Sequence, residues 1–287
     1  MPTTQQPAPD YLVLGHVSKD LLAAGKTAAG GTVIYAGLTA QALGVRAAIV
    51  TALATPDLGL LDVARRAGVL CEVRPSHATT TFALEYHGED RRLRLDARAA
   101  PLHPDDIPVA WRGAGILHLG PVAAELESGS SWASWPHGAL LAVTPQGWLR
   151  TWDRDGLIHP APWRNPGPLL ARADVLVMSA EDTGYDLEAL AGYVSQACLS
   201  AVTAGSEGAD LYEHGRHIGH VHSLLAVPMD YTGAGDVFAA AFLIRYRETG
   251  DPMRAAAFAH SAAAFAIEAA GPAGIAPRPL VEARLAT

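Results

Sequence analysis

A glycine-rich turn in the last third of the chain holds the residues with the clearest potential for chemistry. Residues 230–236 read DYTGAGD and run directly into an apolar stretch at residues 237–244. This order predicts a turn at the start of a helix, where the backbone N–H groups of Gly233, Ala234 and Gly235 can point at an anion and the glycines let it approach closely. The turn is therefore a predicted phosphate-binding site.

Asp236 falls in the first turn of that predicted helix, beside the predicted anion site. A carboxylate there can accept the proton of an incoming hydroxyl group, which is the role of a general base. The attacking oxygen would then meet a phosphate in line, while backbone donors and Mg²⁺ stabilise the charge that spreads over the transferring group. The alternative is that Asp230 and Asp236 only cap a helix after a tight turn, as aspartate commonly does.

The composition limits the classes of protein to consider. The 287-residue chain is 49% hydrophobic and 17% charged, with a formal net charge of −8 and no run of 18 or more apolar residues. We therefore expect a globular protein with no membrane or nucleic-acid partner, because both partners require features that this sequence lacks. Cys71 and Cys198 suggest neither a disulfide framework nor a zinc site, which favours a reducing cytoplasm. The polar first ten residues predict a loose tail and do not resemble a signal peptide.

Short apolar runs of strand length alternate with stretches of helical spacing along most of the chain. Alternation of this kind predicts an α/β fold with a parallel sheet and helical crossovers. The predicted strands are residues 11–14, 47–52, 69–73, 116–119, 140–143, 175–178 and 199–203, and the predicted helices are residues 33–43, 58–67, 233–246 and 252–269.

Two further segments depart from this pattern. Residues 79–85 and 91–95 are β-prone and partly alternating, and the turn-like sequence HGED at residues 87–90 joins them. We expect them to form a hairpin outside the main sheet. Residues 148–163, rich in proline and tryptophan, predict a structured surface excursion.

The whole segment at residues 230–242, D-x-T-G-A-G-D-x-F-x-A-A-F, resembles the C-terminal signature of the ribokinase-like sugar kinases, also called the PfkB family. The resemblance extends over nearly the entire chain. It implies a three-layer α/β/α sandwich with a central, mostly parallel sheet. It also implies a single kinase domain over residues 1–287, with a small β lid formed mainly by residues 79–95 and part of 18–30. The implied activity is ATP-dependent phosphate transfer to a hydroxyl of a sugar or polyol, with Asp236 as base and the backbone of residues 233–235 as anion hole.

The resemblance also implies a nucleotide site. Residues 202–209, VTAGSEGA, look like the T-x-G-x-x-G nucleotide loop of the family. The family pattern assigns ATP contacts to Thr203, Gly205, Ser206, Gly208, Thr232 and His260. Two alternatives remain open: the loop also reads as an ordinary turn between strands, and His260 also reads as a core residue.

The acceptor and metal sites follow from other matches to the family pattern. Ser179-Ala180-Glu181-Asp182 replaces the N-x-x-E metal motif, and Glu181 or Asp182 would contact Mg²⁺ through water. Tyr35 stands near the position where the family usually has an asparagine, which leaves the acceptor open. The S-A-E-D sequence and the P-Q-G sequence at residues 145–147 look closer to the inositol-kinase branch of the family than to ribokinases. A cyclitol such as myo-inositol is therefore worth testing as the acceptor. The implied acceptor contacts are Asp20, Gly30, Gly31, Tyr35, Gln146, Arg150 and Asp236.

Two alternatives for the whole protein remain. One is a nucleoside kinase on the same fold, and the other is a catalytically weak nucleotide-binding protein with a regulatory role. The expected partner is a small-molecule sugar, polyol or nucleoside. A homodimer stays open, because lid strands in this family can pair between subunits.

Overall fold

The computed structural model describes residues 8–22, 25–87, 90–132, 135–136 and 138–286. Several predicted features fall partly outside these ranges. They are residues 1–7 of the predicted tail, residues 23–24 of the segment predicted to join the lid, and Gly88 and Glu89 of the predicted hairpin turn.

Strands and helices alternate along most of the described chain. The strands are β1 (Tyr11–Leu14), β2 (Ser18–Leu21), β3 (Thr27–Gly30), β4 (Ala47–Leu53), β5 (Leu70–Pro75), β6 (Thr80–His87), β7 (Asp90–Ala97), β8 (Ile116–Leu119), β9 (Leu140–Val143), β10 (Arg150–Trp152), β11 (Ile158–Pro160), β12 (Val175–Ser179), β13 (Leu199–Thr203), β14 (Ala209–Glu213) and β15 (Arg216–Val221). The helices are α1 (Thr32–Ala42), α2 (Asp62–Arg66), α3 (Gly167–Leu170), α4 (Leu187–Gln196), α5 (Ala234–Thr249), α6 (Pro252–Ile267) and α7 (Arg278–Leu285).

Within the described residues, the main sheet has nine strands in the order β15-β14-β13-β12-β9-β8-β1-β4-β5. The pairs from β13 to β5 are parallel, and the pairs that involve β14 are antiparallel. The C-terminal ends of the parallel strands therefore lie along one edge. Ligands of open α/β sheets bind at this edge.

Helices cover both faces of the main sheet, because its strands are apolar on both sides. Tyr11 and Val13 belong to the core cluster under α1, α5 and α6. Leu12 and Leu14 point the other way, toward the cluster that contains α3, α4 and the buried tryptophans. The architecture is thus the predicted three-layer α/β/α sandwich. Among the described residues, no helix is both long enough and apolar enough to cross a membrane.

All seven predicted strands and three of the four predicted helices are confirmed, with small shifts of their ends. The predicted helix at residues 58–67 is wrong in its first half. The chain forms a 3₁₀ helix at Thr55–Leu61 before α2 begins. Gly59 lowers helix propensity there, and the tighter 3₁₀ form suits such a short piece.

The tryptophan-rich excursion at residues 148–163 folds into the antiparallel pair β10 and β11. The rings of Trp148 and Trp163 stack with their centroids 4.9 Å apart, and both are buried against the main sheet. The excursion is therefore anchored to the core at both of its ends.

A second sheet lies beside the main one. In the described residues it has four strands in the order β3-β2-β6-β7, with β2 and β6 parallel and the other pairs antiparallel. Phe82 and Leu95 of this sheet pack on Val122 and Ala123, which follow β8. These strands come from the segments predicted to form a lid. The role of the sheet as a lid stays a prediction.

Glu125 joins the segments that follow β1 and β8. Its carboxylate is 1% exposed and accepts backbone N–H groups of His16 at 2.7 Å, Val122 at 3.0 Å and Ala123 at 2.7 Å. His16 in turn contacts the small sheet, with its Nδ1 atom 2.6 Å from Thr80 Oγ1. The buried Glu125 carboxylate thus connects the segments that follow β1 and β8, and through His16 it also connects them to the small sheet.

We expect Glu125→Ala to destabilise the protein by about 2–4 kcal/mol, because buried N–H groups lose their acceptor. The free energy of unfolding in urea measures this loss. Glu127→Ala is the matched control, since Glu127 is exposed two residues away. Equal stability of the two variants would contradict an anchoring role for Glu125.

Candidate active site

A cavity of about 450 Å³ opens at the C-terminal edge of the main sheet. It lies between the ends of β9, β12 and β13 and the start of α5, with β11 on a further side. Its lining combines hydroxyl, carboxylate, guanidinium and apolar groups. The lining residues are Thr32, Thr144, Pro145, Gln146, Leu149, Arg150, Ile158, Pro160, Val177, Met178, Ser179, Glu181, Asp182, Thr203, Gly205, Tyr231, Gly233, Ala234, Gly235 and Asp236.

The glycine turn at the start of α5 has the geometry that its sequence predicts. Gly233 adopts the left-handed conformation, with φ 78°, directly before α5 begins at Ala234. A Cβ atom at this position would lie 2.2 Å from Tyr35 Cδ1, so the backbone packs directly on the Tyr35 ring. Ala234 N–H donates to the Tyr231 carbonyl at 3.2 Å. In the described structure, Gly233 and Gly235 are therefore the readier donors for an anion.

Asp236 lies in the first turn of α5, half-buried at the cavity wall. Burial raises the pKa of this carboxyl group to about 6, and the neighbouring charge of Asp182 pushes it the same way. A hydrogen bond with Thr32 and the charge of Arg150 hold the pKa back. A carboxyl group with this pKa is mostly ionised at neutral pH and is still basic enough to accept a proton.

Arg150 faces the carboxylates of the cavity from β10. Burial lowers the pKa of its guanidinium group, and the charges of Asp182, Asp236 and Glu181 oppose that shift. Asp182 accepts Ser179 N–H at 2.8 Å and the Ser179 hydroxyl at 3.2 Å, and burial raises its pKa. The described lining of the cavity thus combines the half-buried Arg150 guanidinium with three carboxylates.

Glu181 and Asp182, the predicted metal contacts, both line the cavity. Within the described residues, no group of three or more His, Cys, Asp or Glu side chains could hold a metal ion. Mg²⁺ is normally held by one or two carboxylates together with phosphate oxygens and water. The two carboxylates present fit that kind of site, with Glu181 the more exposed of the two.

The predicted nucleotide residues divide into two groups. Thr203 and Gly205 line the cavity at the end of β13. The other four lie outside its described lining: Ser206, Gly208, Thr232 and His260. Gly208 has φ 121°, and a Cβ there would lie 2.2 Å from the Val221 carbonyl oxygen. His260 is 6% exposed, with its ring 4.9 Å from that of Phe238.

The predicted acceptor residues also divide. Gln146, Arg150 and Asp236 line the cavity, whereas Asp20, Gly30, Gly31 and Tyr35 lie outside its described lining. Asp20 accepts the Ser18 hydroxyl at 2.7 Å, and burial raises its pKa. Its Oδ2 atom lies over Gly30, where a Cβ would be only 2.1 Å away. Tyr35 is 4% exposed, so its ring is largely a packing surface.

Part of the chain is similar to known carbohydrate kinases. Residues 178–278 match the model of the pfkB family of carbohydrate kinases. An inositol 3-kinase from Zea mays is 32% identical over 189 residues, which cover 62% of this chain and 47% of that protein. The chain therefore spans about half the length of the curated relative that it matches.

Solved structures of the ribokinase family share the fold of this chain. A pyrophosphate-dependent kinase in a sulfate complex aligns with a TM-score of 0.81 and 23% identity, over 95% of this chain and 99% of that chain. A pyrophosphate-dependent kinase complexed with a pyrophosphate analog and myo-inositol aligns with a TM-score of 0.80, at the same identity and coverage. The fold is therefore ribokinase-like.

Several residues that line the cavity were not among the contacts predicted from the sequence. The sequence could have indicated Thr32 and Thr144. Thr32 directly follows the glycine pair, and Thr144 is the first residue of the T-P-Q sequence. Nothing in the sequence indicated Ile158 and Pro160, since only the folding of β10 and β11 brings them to the cavity. Tyr231 lies inside the glycine turn, but the signature does not specify its position.

Asp236→Asn is expected to stabilise the protein at neutral pH. Because the folded-state pKa is raised to about 6, the wild-type carboxyl group stabilises the fold below about pH 4 and loses this contribution as the pH rises through 6. The stability difference between variant and wild type should thus grow by up to about 3 kcal/mol between pH 4 and pH 7. Urea unfolding across this range measures it.

The matched control for that experiment is Asp251→Asn. Asp251 is a half-exposed N-cap residue of α6, where it accepts Met253 N–H at 2.9 Å. This variant should show no growing advantage with pH. A stability difference between Asp236→Asn and wild type that does not change with pH would mean that the fold does not raise the pKa of Asp236.

Proposed function

We propose that this protein is an ATP-dependent phosphotransferase of the pfkB family, a carbohydrate kinase that moves the γ-phosphate of ATP to a hydroxyl group of a sugar or polyol. One observation carries the proposal. Asp236, with a pKa of about 6, shares one cavity with the glycine turn of α5 and the Arg150 guanidinium. A base, an anion site and a cation at one sheet edge are what phosphoryl transfer to an alcohol requires.

In the proposed mechanism, Asp236 takes the proton of the acceptor hydroxyl. The hydroxyl oxygen forms a bond to the γ-phosphorus, the bond from that phosphorus to the bridging oxygen breaks, and ADP leaves. The backbone N–H groups of residues 233–235 act as the anion hole, and Arg150 adds positive charge beside them. Asp236 then returns its proton to water.

Mg²⁺ would be held through water by Glu181 or Asp182, which both line the cavity. When bound, Mg²⁺ neutralises negative charge on the phosphates. Thr203 and Gly205 would receive the phosphates at the end of β13, while Ser206, Gly208, Thr232 and His260 would contact the rest of the nucleotide.

The acceptor that we propose is a cyclitol such as myo-inositol. The likeness to an inositol 3-kinase and to a structure that contains myo-inositol supports this choice. Gln146 is the proposed contact within the cavity, together with Arg150 and Asp236. The remaining proposed acceptor contacts are Asp20, Gly30, Gly31 and Tyr35. A nucleoside acceptor is the alternative.

The small sheet is proposed to act as a lid over the acceptor, within a single kinase domain. Closure would exclude water from the transferring phosphate, as lids in kinases do. A homodimer through this sheet remains an open part of the proposal. The cytoplasm is the proposed location, because Cys71 and Cys198 are free thiols.

A specific observation favours a second donor, pyrophosphate. The described lining of the cavity includes Thr203 and Gly205 but neither Ser206 nor His260, although all four were predicted to contact ATP. Both structures compared above are of pyrophosphate-dependent kinases. Pyrophosphate would need only the part of the site that the cavity provides.

Turnover should be measured with ATP and with pyrophosphate, each with Mg²⁺, against myo-inositol, pentoses, hexoses and nucleosides. We expect turnover with ATP and a cyclitol, and a fall of about 10²-fold to 10⁴-fold in kcat for Asp236→Asn because the base is lost. Release of ADP or phosphate, with ³¹P NMR of the product, measures both.

The control is again Asp251→Asn, which should keep wild-type turnover because Asp251 lies at the start of α6, outside the cavity lining. Turnover with pyrophosphate alone would establish the second donor. Turnover only on nucleosides would establish that acceptor class. ATP binding without turnover on any acceptor would contradict the proposal and favour a regulatory nucleotide-binding protein.

The pH dependence of kcat/KM should have an acid limb near pH 6, because Asp236 must be ionised to accept a proton. Below this pH, activity should fall about tenfold per pH unit. Asp182→Asn removes a negative neighbour that raises the pKa of Asp236, so it should move the limb to lower pH. An unmoved limb in this variant would assign the titration to another group.

A further inference from the structure

A buried chain of three side chains leads from the core to the cavity. The Tyr11 hydroxyl lies 2.6 Å from His118 Nδ1, and His118 Nε2 lies 3.0 Å from Thr144 Oγ1. Tyr11 and His118 are 0% exposed on the neighbouring strands β1 and β8. Thr144 follows β9 and lines the cavity. The chain thus connects a core phenol to the site wall.

The position of each proton in this chain follows from the available partners. Burial lowers the pKa of His118 to about 3, so its ring is neutral and carries one proton. Burial also raises the pKa of Tyr11 well above its usual value, so the phenol keeps its proton. In the described part of the chain, His118 Nδ1 is the hydrogen-bond partner of this hydroxyl. Tyr11 therefore donates to Nδ1, and the ring proton resides on Nε2.

This arrangement determines the direction in which the Thr144 hydroxyl proton points. Its oxygen accepts the Nε2 proton of His118, so its own proton must point elsewhere. Among the described residues, no protein group accepts a hydrogen bond from that proton. The side that remains is the cavity, where Thr144 can donate to a ligand oxygen.

Thr144 is connected to the proposed base through two intervening residues. A Cβ atom at Gly120 would lie 3.3 Å from Thr144 Oγ1 and 2.4 Å from Thr32 Cγ2, so the two threonines flank Gly120. Thr32 in turn is hydrogen-bonded to Asp236. The Thr144 hydroxyl and Asp236 therefore border the same part of the cavity.

We propose that Tyr11 and His118 hold the Thr144 hydroxyl as a fixed hydrogen-bond donor to an oxygen of the transferring phosphoryl group. Thr144 is then a catalytic residue, and Tyr11 and His118 are positioning residues. This inference rests on the proposed phosphotransfer. A donor whose direction is set before the reaction stabilises the developing charge without reorganisation during the step.

The ring tautomer of His118 tests the positioning role without any turnover. Two-bond ¹H–¹⁵N NMR of the protein at pH 6–8 should find Nε2 protonated and Nδ1 unprotonated. In Tyr11→Phe, which preserves the ring and its packing, Nδ1 loses its donor, and the preference for the Nε2–H tautomer should weaken. A wild-type ring that is protonated at Nδ1, or an unchanged tautomer in Tyr11→Phe, would overturn the inference.

The donor role of Thr144 is tested with Thr144→Val, which preserves shape but lacks the hydroxyl, and with Thr144→Ser, which restores it. We expect Thr144→Val to lower kcat/KM by about tenfold to a hundredfold, as expected for loss of a hydrogen bond to a charged group. Thr144→Ser should recover most of the activity. Equal activity of the valine and serine variants would overturn the inference.

Binding of inorganic phosphate, measured by NMR titration, separates this inference from the proposed function. Thr144→Val should raise the Kd for phosphate by about fivefold or more, and Thr144→Ser should not. If the wild-type protein turns over no donor and acceptor, the proposed function fails, yet the phosphate titration still decides the role of Thr144. An unchanged Kd in Thr144→Val would overturn the inference.

Discussion

The balance between burial and charge at Asp236 is the constraint on which the candidate site depends. Burial raises the pKa of this carboxyl group to about 6, while Thr32 and Arg150 favour its ionised form. Deeper burial without them would keep the group protonated, and full exposure would make it a weak base. The surrounding elements therefore have to place a hydroxyl and a guanidinium beside one carboxylate at a helix start.

The start of α5 is fixed by packing as much as by its own sequence. Gly233 sits on the Tyr35 ring in a left-handed conformation, which a side chain at this position would strain and block. Asp230 accepts Thr232 N–H at 2.9 Å and Gly271 N–H at 2.9 Å, which joins the turn to the segment after α6. Tyr35 thus has a packing role at the turn, beside its predicted role at the acceptor. The presence of tyrosine at this position therefore has a structural reason that is independent of the substrate.

The described lining of the cavity combines one guanidinium with three carboxylates. Arg150 lines the same cavity as Asp182, Asp236 and Glu181, and it comes from a short hairpin outside the main sheet. A guanidinium can bind phosphate oxygens, since it has several donors in a fixed plane. The same hairpin contributes Ile158 and Pro160, so it supplies both the cation and an apolar wall.

The amino-acid sequence by itself determined the alternating strands and helices, the glycine turn before α5, and Asp236 as the candidate base. These features are local, because they depend on periodicity, turn residues and the N–H groups of one helix end. Only the tertiary structure decided which strand ends share the cavity. It brought Thr32, Thr144 and Arg150 to the start of α5, and it left Ser206 and His260 outside the cavity lining. Strand order and the pKa shifts at Asp236 and His118 depend on neighbours that are remote in sequence. No local pattern encodes those neighbours, because burial exists only after the sheet and helices have packed.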